Sequence, residues 1–273
     1  KYAVQIRNPE DIVQELNKAY HIATTGRRGP VLIDLPMNIQ RSEVENPVYD
    51  MTFEDIHTDA AQAQKAADTI LEALETAKRP VIMLGHGVDS SASQRELIQF
   101  ARKRQIPIIT SVLAKSVLGY EHPLNFGCIG GAYGHRYANM IANAKSDLLL
   151  CFGISLCTRQ IGTKVHEFAK GAKIIRVDID SCNLQRDIHE NGANEVKLQA
   201  ETGAVIDCLS RAAVQKPDEY REWLNVCNEI KENLQAVDDQ TPERYPNRMI
   251  ASLSEMLEDT SAIAVDVGQH MVW

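Results

Sequence analysis

The chain has 273 residues and a formal net charge of −8, from 29 basic and 37 acidic side chains. At about 150 residues per domain, this length predicts roughly two domains. A mildly acidic chain with charges of both signs argues against a general nucleic-acid-binding protein, which needs a basic face. Hydrophobic residues make up 44% and charged residues 24%, so the composition is that of a folded protein and not of a disordered one.

The sequence contains no stretch of the roughly 18 apolar residues that a membrane-spanning helix needs. The longest apolar run, 147–153 (DLLLCFG), has the length of a buried strand. The six cysteines form no C-x-x-C pair, and we expect them to be reduced thiols of a cytoplasmic protein. The eight histidines lack metal-ligand spacing, so we predict no metal site, and neither a membrane nor a nucleic acid as partner.

The first part of the chain predicts only one helix and one strand. Apolar residues at helical spacing place the helix at 9–25, and the run VLIDLP predicts a buried strand at 31–36. At the other end, the apolar segment 262–273 predicts a strand followed by a glycine turn. One helix and one strand do not make a domain, so we expect the chain to be cut from a longer polypeptide.

A regular alternation of helices and strands fills residues 59–213. Apolar periodicity predicts helices at 59–78, 90–104, 134–145 and 202–213, a short helix or loop at 161–169, and strands at 80–84, 106–110, 147–152, 173–179 and 195–198. Strands separated by helix-length segments are typical of βαβ units. We therefore predict a doubly wound α/β domain with about six parallel strands. An amphipathic helix at 217–234 and turn-rich linkers at 238–246 and 51–57 complete the chain.

Two glycine clusters follow predicted strands of this domain. Gly85-His86-Gly87 stands between a strand and a helix, which favours either phosphate contact through backbone N–H groups or a plain tight turn. The next strand ends in Thr110 and Ser111 and not in a ribose-binding acid, which disfavours a hydride-transferring NAD enzyme. In the second cluster, Gly127, Gly130, Gly131 and Gly134 predict an ordered turn or a flexible loop, and the helix that follows favours the turn.

Polar side chains follow three further strands. Asp178 and Asp180 are either acceptors for ribose hydroxyls or turn-forming and capping residues. Arg159 suits a phosphate or a flat ring, although a surface ion pair is the simpler interpretation of a lone arginine. Gly268, Gln269 and His270 follow the last apolar run, where glycine admits a ligand close to the backbone and the other two supply hydrogen-bond donors. Taken alone, His270 is more often a structural histidine than a catalytic one.

These segments, in this order, resemble thiamine-diphosphate (ThDP) enzymes, in particular the acetolactate synthase family. Residues 29–40 (GPVLIDLPMNIQ) resemble the end of that family's pyrimidine-binding domain, with Asn38 in place of an aspartate, and 79–88 (RPVIMLGHGV) resemble the opening of its central domain. Residues 264–273 (AVDVGQHMVW) resemble the start of its diphosphate-binding domain. The resemblance divides the chain into the tail of the first domain (1–45), the central domain (58–213), a helix and linker (214–245) and the start of the third domain (246–273).

The resemblance implies a ThDP- and Mg²⁺-dependent carboligase of branched-chain amino acid biosynthesis. Such an enzyme decarboxylates pyruvate and transfers the two-carbon unit to a second 2-oxo acid, and it works as a homodimer or homotetramer. By match, Gly268, Gln269 and His270 lie beside ThDP. The family's activating glutamate and its GDG…N metal motif have no counterpart in this chain, so no catalytic or metal-binding residue is expected here and the chain alone is expected to be inactive. The alternatives are another ThDP-dependent decarboxylase, oxidase or acyltransferase, or a nucleotide-binding or assembly module.

The resemblance also implies FAD in the central domain. The residues matched to FAD contacts are Gly85, His86, Gly87, Thr110, Ser111, Gly130, Gly131, Gly153, Arg159 and Asp178. One segment departs from the family motif G-[AS]-R-[FL]-D, because 153–157 reads GISLC. Ser155 replaces an arginine that lies against FAD and Cys157 replaces an aspartate, so we expect weak FAD binding or a site of the ADP type.

Overall fold

The computed structural model describes residues 2–49, 52–53, 58–89, 93–131, 133–213, 217–240, 242, 245–258 and 260–268. The chain divides into two compact units, Lys1–Asp59 and Ala60–Trp273. Each unit has its own sheet among the described residues.

The first unit is a two-stranded parallel sheet with one long helix. Its strands β1 (Tyr2–Gln5) and β2 (Val31–Asp34) pair in register, and they are connected by a 3-10 turn (Pro9–Asp11) and helix α1 (Ile12–Thr24). A short helix, α2 (Met37–Gln40), follows β2. The helix and the strand predicted from the sequence are confirmed, but the strand is not buried as predicted, because its positions alternate between half-buried and exposed and Leu32 is 63% exposed. Strand β1 was not predicted, because four residues with a partly polar sequence carry no clear periodicity.

The second unit is built on a six-stranded sheet in which every neighbouring pair of strands is parallel. The strands are β3 (Pro80–Leu84), β4 (Ile108–Thr110), β5 (Asn125–Cys128), β6 (Leu148–Phe152), β7 (Lys173–Asp178) and β8 (Glu195–Gln199). Their spatial order is β5-β4-β3-β6-β7-β8, so the direction of winding reverses between β3 and β6. The predicted doubly wound α/β fold is therefore confirmed.

The strands β3 and β6 are buried at all five of their positions, since helices cover both faces of this sheet. The helices are α3 (Ala60–Thr76), α4 (His86–Asp89), α5 (Gln94–Arg104), α6 (Arg136–Met140), α7 (Thr158–Ile161), α8 (Ser181–Gln185), α9 (Thr202–Arg211), α10 (Arg221–Asp239) and α11 (Pro246–Glu255). Short 3-10 turns at Val112–Val117, Val165–Glu167 and Glu190–Gly192 and a π turn at Ile141–Lys145 complete the unit. None of the described helices is long and apolar enough to span a membrane.

Helix α10 packs into the core of the second unit. Tyr220, Trp223, Leu224 and Cys227 are buried there. The indole N–H of Trp223 donates to the carbonyl oxygen of Pro80 at 2.9 Å, and the Tyr220 hydroxyl donates to that of Leu74 at 2.6 Å. Both bonds satisfy polar groups that burial would otherwise leave unpaired.

Three expectations about local structure were wrong. Residues 134–145 form a short α-helix followed by a π turn and not one helix, and the edge strand β5 was overlooked because its sequence (NFGC) alternates only weakly. The segment 262–268 is not a strand: Ile263, Val265 and Val267 are 67%, 54% and 87% exposed. A strand requires a hydrogen-bonded neighbour, and no described residue pairs with this segment.

All six cysteines are free thiols, and Cys128, Cys151 and Cys227 are buried. Burial raises the pKa of the Cys151 thiol to about 12, against the opposing effect of the nearby Arg176 guanidinium. A buried thiol of this kind packs as a small apolar side chain and is chemically inert.

A buried ion pair joins side chains of the neighbouring strands β7 and β8. The side chains of Arg176 and Glu195 are each 1% exposed, and Nη1 of Arg176 is 3.6 Å from Oε2 of Glu195. Arg176 also donates to the carbonyl oxygens of Asn183 and Arg186, and Glu195 accepts the backbone N–H of Ile188. The pair therefore anchors the segment that connects β7 to β8.

We expect Arg176→Met to lower the free energy of unfolding by about 3–5 kcal/mol, because it leaves the buried Glu195 carboxylate without its cation. Urea denaturation followed by circular dichroism measures this loss. The control is the double variant Arg176→Met/Glu195→Gln, in which the amide still accepts backbone N–H groups, and it should recover more than half of the loss. A loss below about 1 kcal/mol in the single variant would contradict this account.

Candidate functional site

The carboxyl ends of β3 and β6 meet where the sheet reverses its winding, which is the place where open α/β sheets bind ligands. The loops that leave these two strands touch each other through their backbones. The N–H of Gly85 donates to the carbonyl oxygen of Phe152 at 2.9 Å, and the N–H of Gly87 donates to that of Gly153 at 3.2 Å. A Cβ atom at Gly85 would lie 2.0 Å from the Gly153 oxygen, so this contact requires glycine.

The described residues of the second glycine cluster form a hydrogen-bonded turn ahead of α6, and Ala132 within it lies outside the described residues. Nδ1 of His135 accepts the backbone N–H of Cys128 at 3.0 Å. The Asn139 side chain donates to the carbonyl oxygen of Gly130 at 2.8 Å and accepts its N–H at 3.2 Å. Sequence reasoning missed His135 and Asn139, although both lie within the first turn of the helix that follows the glycines.

Thr110 and Ser111 join neighbouring loops at the carboxyl ends of the strands, which form the edge of the sheet referred to below. Both are 3% exposed. The Thr110 hydroxyl donates to the carbonyl oxygen of Gly127 at 3.3 Å, and the N–H of Ser111 donates to that of Leu84 at 2.8 Å. These two residues thus connect the ends of β3, β4 and β5.

Asp178 and Asp180 form the turn after β7. The Asp178 carboxylate accepts the N–H of Asp180 at 2.9 Å and the side-chain amide of Asn183 at 2.6 Å. Asp180 caps α8 by accepting the N–H of Cys182 at 2.9 Å. Of the two interpretations open from the sequence, the geometry realises the turn-forming and capping one.

Arg159 is exposed on α7, close to Tyr133 of the glycine-rich turn. Burial raises the pKa of the Tyr133 phenol, and the positive charge of Arg159 opposes that rise. The backbone N–H of Gly131 donates to the carbonyl oxygen of Arg159 at 3.2 Å, which ties the turn to α7.

Arg186 is a residue of this edge that the sequence did not reveal. Its Nη2 donates to the carbonyl oxygens of Ser155 and Leu156, at 2.7 and 2.6 Å. Its partners are main-chain atoms about 30 positions away, so no motif or spacing could have indicated the contact.

The residues matched to ThDP lie at the end of the chain. Gly268 is in a bend, whereas Gln269 and His270 lie outside the described residues. Within the described part of the chain, no three His, Cys, Asp or Glu side chains converge as metal ligands would.

Many of the residues matched to FAD contacts have backbone N–H groups that are already used within the protein. The N–H groups of six expected contacts donate to protein oxygens; these contacts are Gly85, Gly87, Ser111, Gly130, Gly131 and Gly153. A phosphate cradle needs N–H groups that point at the ligand without a competing acceptor. These residues therefore do not fit a dinucleotide held through backbone N–H groups.

The second unit is a doubly wound α/β domain built on a six-stranded parallel sheet. The family model "Thiamine pyrophosphate enzyme, central domain" matches residues 67–209, just over half of the chain. The chain therefore belongs to the thiamine-diphosphate enzyme family.

The curated proteins most similar to it include acetolactate synthase large subunits. The chain is 30% identical to the probable acetolactate synthase large subunit of Methanocaldococcus jannaschii, over 100% of this chain and 47% of that protein. It is 27% identical to the large subunit of Lactococcus lactis and 31% identical to that of isozyme 1 of Escherichia coli, again over its whole length and over 46% and 47% of theirs. The chain thus spans about half the length of the curated relatives it matches.

We expect Gly85→Ala to lower the free energy of unfolding by about 3 kcal/mol, because its Cβ would overlap the backbone of the neighbouring loop. Gly131→Ala is the matched control at the same edge, since a Cβ there meets nothing within 4 Å. The control should change stability by less than about 0.5 kcal/mol in the same thermal or urea denaturation. Equal losses in the two variants would show that the loop contact at Gly85 is not the constraint.

Proposed function

We propose that the chain is the central part of a ThDP-dependent carboligase of the acetolactate synthase type. The observation that carries the proposal is the match to acetolactate synthase large subunits along the whole chain. The reaction joins two 2-oxo acids, with decarboxylation of pyruvate and transfer of the two-carbon unit to a second 2-oxo acid. It would serve branched-chain amino acid biosynthesis in the cytoplasm, in a homodimer or homotetramer.

In this proposal the domains divide at 1–45, 58–213, 214–245 and 246–273. The compact unit Lys1–Asp59 supports the first boundary, and the burial of Trp223 and Cys227 attaches the segment 214–245 to the central core. The first segment is the tail of the pyrimidine-binding domain, and the last is the start of the diphosphate-binding domain.

Gly268, Gln269 and His270 are the proposed ThDP contacts of this chain. When bound, ThDP supplies the electron sink that decarboxylation of a 2-oxo acid needs. At these positions glycine would let the backbone approach the diphosphate, and the glutamine and histidine side chains would donate hydrogen bonds to its oxygens. The activating glutamate and the Mg²⁺ ligands would come from other parts of the complete polypeptide.

We expect the 273 residues alone to consume no pyruvate, because they lack these groups. The complete reading frame, supplied with pyruvate, ThDP and Mg²⁺, should form acetolactate. Product analysis by colorimetry and chromatography separates the possibilities. Acetaldehyde or acetate as the main product would replace the carboligase with a decarboxylase or oxidase. Inactivity of the complete protein would favour a nucleotide-binding or assembly module, and turnover by the short chain would contradict the division of labour proposed here.

We further propose that any nucleotide bound to the central domain lies at the carboxyl ends of the strands, and that FAD binds weakly. Its neighbours there would be His86, Thr110 and Asp178, the glycines at 85, 87, 130, 131 and 153, Ser111, and the exposed Arg159. The commitment of the backbone N–H groups to protein oxygens supports weak binding. Ser155 adds to it, because a serine cannot supply the planar cation that the family has at this position.

We expect the purified protein to be colourless and to bind added FAD at least tenfold more weakly than Ser155→Arg does, a difference of about 1.4 kcal/mol. An absorbance spectrum and a fluorescence titration measure both. Thr158→Arg, three residues further along the chain at the exposed first position of α7, is the control for a general charge effect. A yellow protein with stoichiometric flavin would overturn the proposal, and equal affinities of wild type and Ser155→Arg would remove its cause.

A further inference from the structure

The segment after β6, residues 153–159, consists of a loop and the first two residues of α7, and three of the other segments at the carboxyl ends of the strands hold it. The N–H of Gly87, after β3, donates to the carbonyl oxygen of Gly153, and the N–H of Gly131, after β5, donates to that of Arg159. The third contact comes from the segment after β7, where Arg186 donates to the carbonyl oxygens of Ser155 and Leu156. Of these three donors among the described residues, Gly87 and Gly131 use their backbone N–H groups, whereas Arg186 uses its side chain.

The loop contains a residue that resists this conformation. Leu156 has a φ of +49°, in the left-handed region that a bulky side chain rarely adopts, and it is fully buried. Such a conformation persists only where the surrounding contacts determine it. The carbonyl of Leu156 itself accepts from Arg186 at 2.6 Å, so the arginine holds the strained residue directly.

The position of Arg186 is fixed in turn by the core. Its carbonyl oxygen accepts a hydrogen bond from Nη1 of Arg176 at 2.7 Å, and Arg176 is buried against Glu195. A path of charge-assisted hydrogen bonds therefore runs from the ion pair between β7 and β8 to the loop after β6. This path connects a buried part of the sheet to the edge where the winding reverses.

We infer that Arg186 is a positioning residue. Its hydrogen bonds to the carbonyl oxygens of Ser155 and Leu156, called the lock below, hold the segment 153–159 in a strained, single conformation before any ligand binds. The lock fixes where Arg159 stands relative to the glycine-rich turn. A loop that is already ordered does not have to be ordered by its ligand, so the lock also favours binding of an anionic nucleotide at this edge. That last consequence rests on the nucleotide location proposed above, whereas the lock itself does not.

Hydrogen–deuterium exchange of the complete protein tests the lock. Arg186→Ala should speed the exchange of amides in 153–159 at least tenfold and leave the amides of β3 unchanged. Arg211→Ala, which removes an exposed arginine at the end of α9, is the control and should change neither region. Unchanged exchange of 153–159 in Arg186→Ala would overturn the inference.

A double variant tests the role of strain. Glycine adopts positive φ readily, so in a Leu156→Gly background the loop needs no lock, and the effect of Arg186→Ala on exchange should fall below threefold. The same tenfold effect in both backgrounds would show that Arg186 does not restrain a strained Leu156.

Calorimetric titration with ADP tests the consequence for binding. We expect ADP to bind Arg186→Ala at least tenfold more weakly than wild type, with Arg211→Ala unchanged. Equal or tighter binding to Arg186→Ala would refute the link between the lock and the ligand. Absence of ADP binding to wild type would refute the proposed nucleotide location, while the exchange experiments would still decide whether the lock exists.

Discussion

The close approach of two backbones at the ends of β3 and β6 governs the rest of this edge. Neighbouring strands lie only about 4.8 Å apart, and here the loops that leave them stay in contact instead of diverging at once. No side chain fits between them, which is why glycine occupies positions 85, 87 and 153. With these two loops joined, the segments after β4, β5 and β7 close around them through Ser111, Gly131 and Arg186.

Because of this contact, the glycines at these positions are not by themselves an indication of phosphate binding. Glycine before a helix is compatible with a phosphate cradle, but it is equally required where two backbones touch. Six backbone N–H groups of the residues matched to FAD contacts already have protein acceptors, so at those positions a ligand would have to be recognised by side chains. Arg159 is exposed there, next to the loop that the segments after β3, β5 and β7 hold, so its guanidinium is available to an anionic ligand.

The sequence predicted the parts of the fold that depend on burial. Runs such as PVIML and LLLCF indicate strands covered on both faces, and their alternation with helical segments indicates parallel winding. It failed for β5 and for 262–268, where the outcome depends on which backbone lies alongside. At the candidate site, Asp178 and the glycines were found at the carboxyl ends of the strands but with roles left open. Arg176 and Arg186 were missed because they bond main-chain carbonyls, which no side-chain motif identifies.

The family match therefore identifies the class of enzyme to which this chain belongs, whereas the local geometry describes how the loops of its central unit are held. The match over 67–209 places it among ThDP enzymes, while the ThDP contacts proposed above are Gly268 and two residues outside the described part of the chain. What the central unit itself contributes is a set of loops at the carboxyl ends of its strands that are joined to one another by hydrogen bonds. Arg176 stabilises the connection between β7 and β8 by bonding the carbonyl oxygen of Arg186, and the side chain of Arg186 in turn holds the loop after β6, together with the backbone bonds from Gly87 and Gly131.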